Sequence, residues 1–232
     1  MERKRVLLKL SGEALKWSST WSLDVAYMQQ LMRQVKTLHD AGIQVIIVIW
    51  AGNIWRWATG EEMGLDRATA DYMGMVATVI NGMALANVIE QYGVEARVMT
   101  SLEMPKVAEQ FINKRAFKHL DKWRVVICVG GTGNPFFSTD SAAVLRGLEL
   151  HCDVVIKATN IDGIYDKDPK KHTDAIKYTT VSYEEVLAKN LRVMDQSAIA
   201  LAKDESMPIY VCHIDCIEQI VAWVRDGTVV GK

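Results

Sequence analysis

The chain has 232 residues, half of them hydrophobic and 24% charged, with a formal net charge of −1 at pH 7. That length buries a sizeable core, and the composition is that of an ordinary soluble globular protein. Nothing in a charge so close to zero suggests a broad electrostatic surface for nucleic acid or membrane, so any nucleotide is expected to be held by local groups.

The chain opens on Met1-Glu2-Arg3-Lys4-Arg5, followed by a short apolar run at 6–10. Lys9 interrupts that run too early for a signal peptide. No stretch approaches the roughly 20 apolar residues of a membrane span, so the expected compartment is the cytoplasm. Residues 6–9 read instead as a first strand. Similar β-branched runs recur at 45–49, 96–99, 125–129, 154–157 and 209–212. Between them lie stretches read as helices, at 24–41, 67–92, 105–111, 139–149, 182–187 and 195–203. This alternation predicts an α/β fold, a mostly parallel sheet with helices on both faces. The unbroken apolar strands fit a sheet covered on both sides. With no internal repeat and no low-complexity linker, residues 1–232 read as a single domain.

The four cysteines are Cys128, Cys152, Cys212 and Cys216. Cys212-His213-Ile214-Asp215-Cys216 resembles a metal clip only in isolation. No second C-x-x-C pair accompanies it, and the segment reads as a strand running into a helix, so inert thiols are expected rather than a zinc site.

The segments just beyond the strands carry more information, because ligands of open α/β sheets bind beyond the carboxyl ends of the strands. The first strand ends in Lys9-Leu10-Ser11-Gly12, the second in Trp50-Ala51-Gly52-Asn53 with Arg56 behind it. The fourth runs into Gly130 to Asp140, and the fifth into Lys157-Ala158-Thr159-Asn160-Ile161-Asp162-Gly163. Glycine lets backbone N–H groups approach an anion. Ser138-Thr139-Asp140 is a helix N-cap signal, and a helix amino terminus offers free N–H groups to a phosphate. A single such loop would read as an ordinary capped turn; several in one chain favour phosphate binding.

The usual nucleotide signatures are missing. The sequence has no G-x-x-x-x-G-K-[ST], no G-x-G-x-x-G opening the first helix, and no H-R-D with D-F-G. Lys9 is then the natural cation for a transferring phosphoryl group, against the alternative of a strand-end surface charge. Asp71, followed by Gly74 and Thr78 at helical spacing, could accept the hydroxyls of a ribose or be a solvated helix charge. Asp140 and Asp195 could serve Mg²⁺ or hold Lys9, and each is also an acceptable N-cap. Phosphoryl transfer needs alignment and charge cancellation rather than covalent chemistry from the protein, and this inventory suffices for it.

The segments Lys9-Leu10-Ser11-Gly12-Glu13-Ala14-Leu15, Asp71 to Thr78, Gly131 to Asp140 and Lys157 to Tyr165 resemble the bacterial UMP kinases, of the amino-acid-kinase type. The likeness runs nearly end to end, and Thr-Gly-Asn-Pro-Phe-Phe-x-Thr-Asp is highly specific. The resemblance implies a three-layer αβα sandwich, a homohexamer, and UDP made from UMP with Mg·ATP for pyrimidine nucleotide (CTP) synthesis. It implies that Lys9, Leu10, Ser11, Gly12 and Gly52 hold the ATP phosphates and that Arg56 acts where donor and acceptor meet. Thr159 and Asn160, with Tyr165 and Asp168, would line the adenine pocket. Ala51 and Asp71 would touch UMP, and Thr132, Gly133, Asn134, Pro135, Phe136, Phe137, Ser138 and Thr139 would wrap it. Asp140 and Asp195 would organise Lys9 and the metal, which travels with the nucleotide and needs no separate protein site. Residues near 17–22 match a region that senses GTP in some members.

Two other readings stand beside an active UMP kinase. One is a catalytically dead relative kept as a hexameric binding or storage scaffold. The other is a kinase of the same fold acting on a carboxylate or carbamate, against which the Thr-Gly-Asn-Pro-Phe-Phe stretch argues. The scaffold reading draws on tryptophans: Trp17, Trp21, Trp50, Trp57 and Trp123 stand where glycine suits the family or the turn, whereas Trp55 is normal for it. Drift would scatter glycine losses over several residue types. A codon UGA, read as tryptophan in some genetic codes and glycine in others, sends them all to one. These five are therefore expected to be glycines in the living protein.

Overall fold

A computed structural model describes residues 4–11, 23–191 and 193–225. Its strands are β1 (Lys4–Leu10), β2 (Ile43–Ile49), β3 (Ala96–Thr100), β4 (Glu109–Gln110), β5 (Val125–Val129), β6 (Val154–Thr159), β7 (Ile164–Tyr165), β8 (Lys177–Tyr178) and β9 (Ile209–His213). Seven of them make one parallel sheet in the order β4-β3-β5-β2-β1-β6-β9, while β7 and β8 pair as a separate antiparallel ribbon. β1 lies inside the sheet and is buried on both faces, as its continuous apolar run requires.

Alternation along each strand divides the core in two. Val6, Leu8 and Leu10 of β1 and Ile47 and Ile49 of β2 face one cluster, which receives Leu31 and Val35 of α1 (Val25–Asp40). A short helix, α2 (Trp57–Glu62), packs against the long α3 (Arg67–Glu90), whose Val79 and Leu85 join the same cluster. Leu7, Ile46, Val126 and Val155 face the opposite cluster. There they meet α4 (Asn113–Asp121), α5 (Thr139–Glu149), α6 (Tyr183–Ala188) and α7 (Gln196–Asp204). The result is the three-layer αβα sandwich the sequence implied. A 3-10 turn, Ile214–Gln219, and α8 (Ile220–Arg225) close the first face.

Helix starts follow the sequence closely. Asp24, Asp66, Ser138, Ser182 and Asp195 each cap a helix with a side-chain oxygen that accepts a backbone N–H, an interaction worth about 1 kcal/mol. Two expectations fail. Residues 105–111 are a turn and the short β4 rather than a helix, and α4 beyond them is absent from the sequence reading. The reason is that α4 is short and mostly polar, with Ala116 and Leu120 buried and Phe117 partly so, too brief an apolar stripe to read. In addition α3, contrary to the absence of any membrane-length stretch, is long and apolar enough to cross a bilayer; half of its most apolar window lies inside the protein, as befits a core helix.

Several helices end in the same way, with the first residue past the cap in the left-handed region. After α4, Trp123 has φ 57°, its N–H bonds Leu120 and that of Arg124 bonds His119. This is a Schellman end, whose left-handed position favours glycine. His151, Asn190 and Ser206 occupy the same place after α5, α6 and α7, with φ 52°, 49° and 54°. The expectation of a turn glycine at 123 therefore has a physical basis. Trp50 and Trp57 are not among the positive-φ residues, so backbone strain is not the issue there. Trp57 takes the first position of α2, half exposed, with the Arg67 guanidinium 4.7 Å above its ring. Trp17 and Trp21 lie outside the described residues. Burial pushes the thiols of Cys128 and Cys212 up to about 12 and raises that of Cys152 as well.

Candidate active site

The period of two places Lys9 on the same face of β1 as Leu7, and Lys157 on the same face of β6 as Val155. That is the face covered by α5. The two lysines are direct partners in the parallel register of β1 and β6. Asp140, in the first turn of α5, reaches both: its carboxylate lies 2.8 Å from Lys9 Nζ and 3.1 Å from Lys157 Nζ. All three side chains are largely buried. Burial alone would raise the Asp140 carboxyl, but the two ammonium groups outweigh it and hold it below the usual carboxylate range. Burial lowers the Lys157 ammonium despite the attraction of Asp140, and repulsion by Lys9 adds to the effect. With two cations to one anion, the cluster carries a positive excess at the carboxyl end of the sheet. The sequence alone does not single out Lys157; only its pairing with Lys9 gives it meaning.

A cavity opens on each side of this cluster. The first, of about 350 Å³, is lined by Lys9 and Asp140, by Trp50 and Ala51 after β2, by Asp71, Gly74 and Thr78 of α3, and by Gly131, Thr132, Phe137, Ser138 and Thr139. The second, of about 450 Å³, is lined by Lys157, Thr159, Gly163, Tyr165, Asp168, Asn190 and Val211. The structure thus gathers several residues expected around UMP in one cavity and Thr159, Tyr165 and Asp168, but not Asn160, in another; of the residues expected at the ATP phosphates, Lys9 lines the first cavity and Gly52 and Arg56 line neither.

Within the first cavity, Asp71 accepts both contacts of Arg67 Nε at 2.9 Å and the N–H of Phe136 at 2.8 Å. It is a well-tethered carboxylate at the cavity wall rather than a solvated helix charge. Thr78 accepts the N–H of Gly130 at 2.7 Å, which ties the loop after β5 to α3. Gly133, Asn134, Pro135 and Phe136 stand outside the wall, and Phe136 is 70% exposed with φ 70°. Asp195 caps α7 and accepts hydrogen bonds from Ser138, Ser141 and Ser197, and so staples α7 to the start of α5. Its bonds go to these hydroxyls rather than to Lys9.

Two asparagines the sequence left without a role fix the other glycine loop. Asn53 and Asn81 exchange amide hydrogen bonds at 3.1 and 2.9 Å, both buried, and Asn81 also donates to the Trp50 carbonyl. Arg56 Nε donates to the Gly52 carbonyl at 3.1 Å, and its guanidinium stands 5.7 Å from the Trp50 ring centroid. The Trp50 indole lies on Gly52 itself: a Cβ there would come within 2.5 Å of it. The bulk anticipated at position 50 falls on the loop expected to meet phosphate. Leu10 is fully buried, Ser11 is partly buried at the end of β1, and Gly12 lies outside the described residues.

Among the described residues no three His, Cys, Asp or Glu side chains are grouped to hold a metal ion. Asp140 is engaged by two lysines, and Asp195 by three hydroxyls. That donor set fits a Mg²⁺ bound chiefly by phosphate oxygens and water, not one caged by protein.

Comparison with known proteins agrees with this geometry. The profile of the amino acid kinase family matches residues 4–213. A curated uridylate kinase of Paramagnetospirillum magneticum is 50% identical over 208 residues, 90% of this chain and 87% of that protein. The crystal structure of UMP kinase from Bacillus anthracis superposes with a TM-score of 0.93 at 38% identity, covering 98% of this chain and 94% of that one. The UMP kinase of Ureaplasma parvum gives 0.92 at 34% identity, covering 97% and 96%.

Proposed function

The chain belongs to the amino acid kinase family, on its uridylate kinase branch, and we propose that it transfers the γ-phosphoryl group of ATP to the phosphate of UMP, giving UDP and ADP. The observation that carries this reading is the shared carboxylate: Asp140 fixes two lysines between two cavities, one lined by Lys9 and the other by Lys157. UMP occupies the Asp71 cavity, with Asp71 on the ribose and Ala51, Thr132 and Thr139 along the nucleotide. ATP occupies the other, its adenine against Thr159, Tyr165 and Asp168 and its phosphates directed toward Lys9, Ser11 and Gly52.

Charge governs the transfer. The moving group spreads negative charge over its equatorial oxygens, and two anionic nucleotides must approach each other. Lys9, held on an interior strand, and Lys157 beside it meet that charge in a partly dry site where electrostatic terms are strong. Asp140 touches no substrate in this scheme; it keeps the two lysines in place. Arg56 supports phosphate at the junction. Mg²⁺, when bound with the nucleotide, supplies further neutralisation of the phosphates. The product feeds pyrimidine nucleotide synthesis.

Self-association as a homohexamer belongs to the same proposal. Met73, Val76, Ile80 and Met83 form a stripe on α3 at spacings of three and four, each 39–49% exposed. A stripe without charge on the longest helix suits a second copy of the same surface.

One observation favours the impaired scaffold as a second reading: the Trp50 indole on Gly52. A coupled ADP-release assay with UMP, CMP, glutamate and carbamate as acceptors separates the readings. Turnover with UMP alone supports the proposal; turnover with none supports the scaffold; preference for a carboxylate or carbamate overturns both.

A further inference from the structure

Arg146 lies in α5, nearly two turns beyond Asp140, and is only 6% exposed. A buried guanidinium is costly unless its donors are satisfied. Glu149, three residues on, takes one arm, and the Phe111 ring packs 4.0 Å from Cζ. The other arm leaves the helix. Nη2 donates to Ser101 Oγ at 2.8 Å, and Ser101 spends its own hydroxyl proton on the carbonyl of Gly131, also at 2.8 Å.

Gly131 is part of the acceptor cavity wall. It belongs to a run, Gly130, Gly131 and Gly133, with φ of 76°, 57° and 84°, a conformation with little intrinsic preference to hold its shape. Ser101 supports this run at several points. Its N–H bonds the Val129 carbonyl at 3.0 Å, and its atoms pack within 3.1–3.3 Å of where a Cβ would stand on Gly130 and Gly133. Ser101 itself hangs at the end of β3, after the strand has stopped. The guanidinium is its side-chain anchor, and a charged donor strengthens the hydroxyl's onward bond.

We propose that Arg146 is a positioning residue for the acceptor loop, acting through Ser101 to fix Gly131 and Thr132 against the nucleoside monophosphate. This rests on the UMP assignment and extends it. Helix α5 then works at both ends, its first turn holding the lysine pair and its last holding the acceptor wall.

The test uses the full-length protein with Ser101→Ala, Ser101→Thr and Arg146→Lys. Ser101→Ala removes only the hydroxyl and keeps the fold within reach even if Arg146→Lys does not. Ser101→Ala is expected to raise KM for UMP about fivefold, the worth of one lost hydrogen bond of roughly 1 kcal/mol, with KM for ATP within about twofold. Ser101→Thr, which keeps the hydroxyl, restores KM for UMP. Without any nucleotide, amide exchange at 131–133 speeds up in Ser101→Ala and Arg146→Lys but not in Ser101→Thr. Equal rises in both KM values, unchanged exchange at 131–133, or a Ser101→Thr variant as impaired as Ser101→Ala would overturn the proposal. If the unmodified protein does not phosphorylate UMP, the catalytic reading fails separately and the exchange measurement alone decides the role of Arg146.

Discussion

Lys9 and Lys157 sit directly opposite one another on neighbouring parallel strands and share one counter-ion, Asp140. Like charges in that register repel. The carboxylate makes the arrangement tolerable, and in the proposed reaction the two ammonium groups meet a pair of phosphorylated substrates.

Replacing that counter-ion tests the cluster. Asp140→Asn should cost about 3 kcal/mol of stability at neutral pH, because two buried ammonium groups lose their partner. Folding lowers the Asp140 pKa, so its contribution is complete above the unfolded value of about 3.9 and is lost as pH falls through the still lower folded value. Urea titrations of both proteins should therefore show a gap that is constant near neutrality and closes in acid. A gap that widens below about pH 4 would contradict the assignment.

Lys9→Ala should abolish transfer while leaving UMP bound. Loss of a cation that acts on developing charge costs on the order of 10²–10³ in kcat, and Lys157 does not line the acceptor cavity that Lys9 lines. Single-turnover kinetics with calorimetry of UMP binding separates the two effects. A variant within tenfold of the unmodified kcat would remove Lys9 from this role.

Asp71→Asn should weaken UMP by about 1.5–3 kcal/mol, the range for hydrogen bonds to a charged group, and ATP much less. Asp71 also accepts from Arg67 and from the Phe136 N–H, so part of the loss comes through the loop. Equal losses for both nucleotides in calorimetry would contradict the placement.

The tryptophans give a prediction of another kind. Trp123 holds a left-handed φ of 57° at a Schellman end, and Trp123→Gly should stabilise the chain by about 1 kcal/mol, read as a rise in Tm. Trp50→Gly should raise kcat/KM by freeing the face of Gly52 that the indole covers. If the codons at these positions are UGA, the mass of the native protein will show glycine at 50 and 123. UGG codons, or peptides containing tryptophan, dispose of the miscoding idea and leave the scaffold reading stronger.

Strand runs and caps are legible in the sequence because each depends on near neighbours: Asp24, Ser138 and Asp195 all cap where they stand. The glycine loops at strand ends are legible for the same reason. Lys157 is not, because its role comes from the register of β6 on β1, far apart along the chain. Ser101 and Arg146 carry no local signature either; their meaning arises where the end of β3 meets the last turn of α5. Trp57 starts α2 half exposed beneath Arg67 and also lines the cavity of Lys9 and Asp71, so the bulk the sequence places there does stand at the site.

β1 lies among seven strands and is hydrogen-bonded along both edges, while the acceptor wall hangs on the loop after β5. The strand that carries Lys9 is thus frozen into the frame, whereas the proposed acceptor wall is shared between α3 and a loop. Such a molecule has room to diversify: exchanging residues 132–137 changes the loop beside the cavity while keeping the Ser138 cap that sets the first turn of α5 and Asp140 on the lysine pair. The frame that carries the lysines and the loop that borders the cavity are joined chiefly through α5.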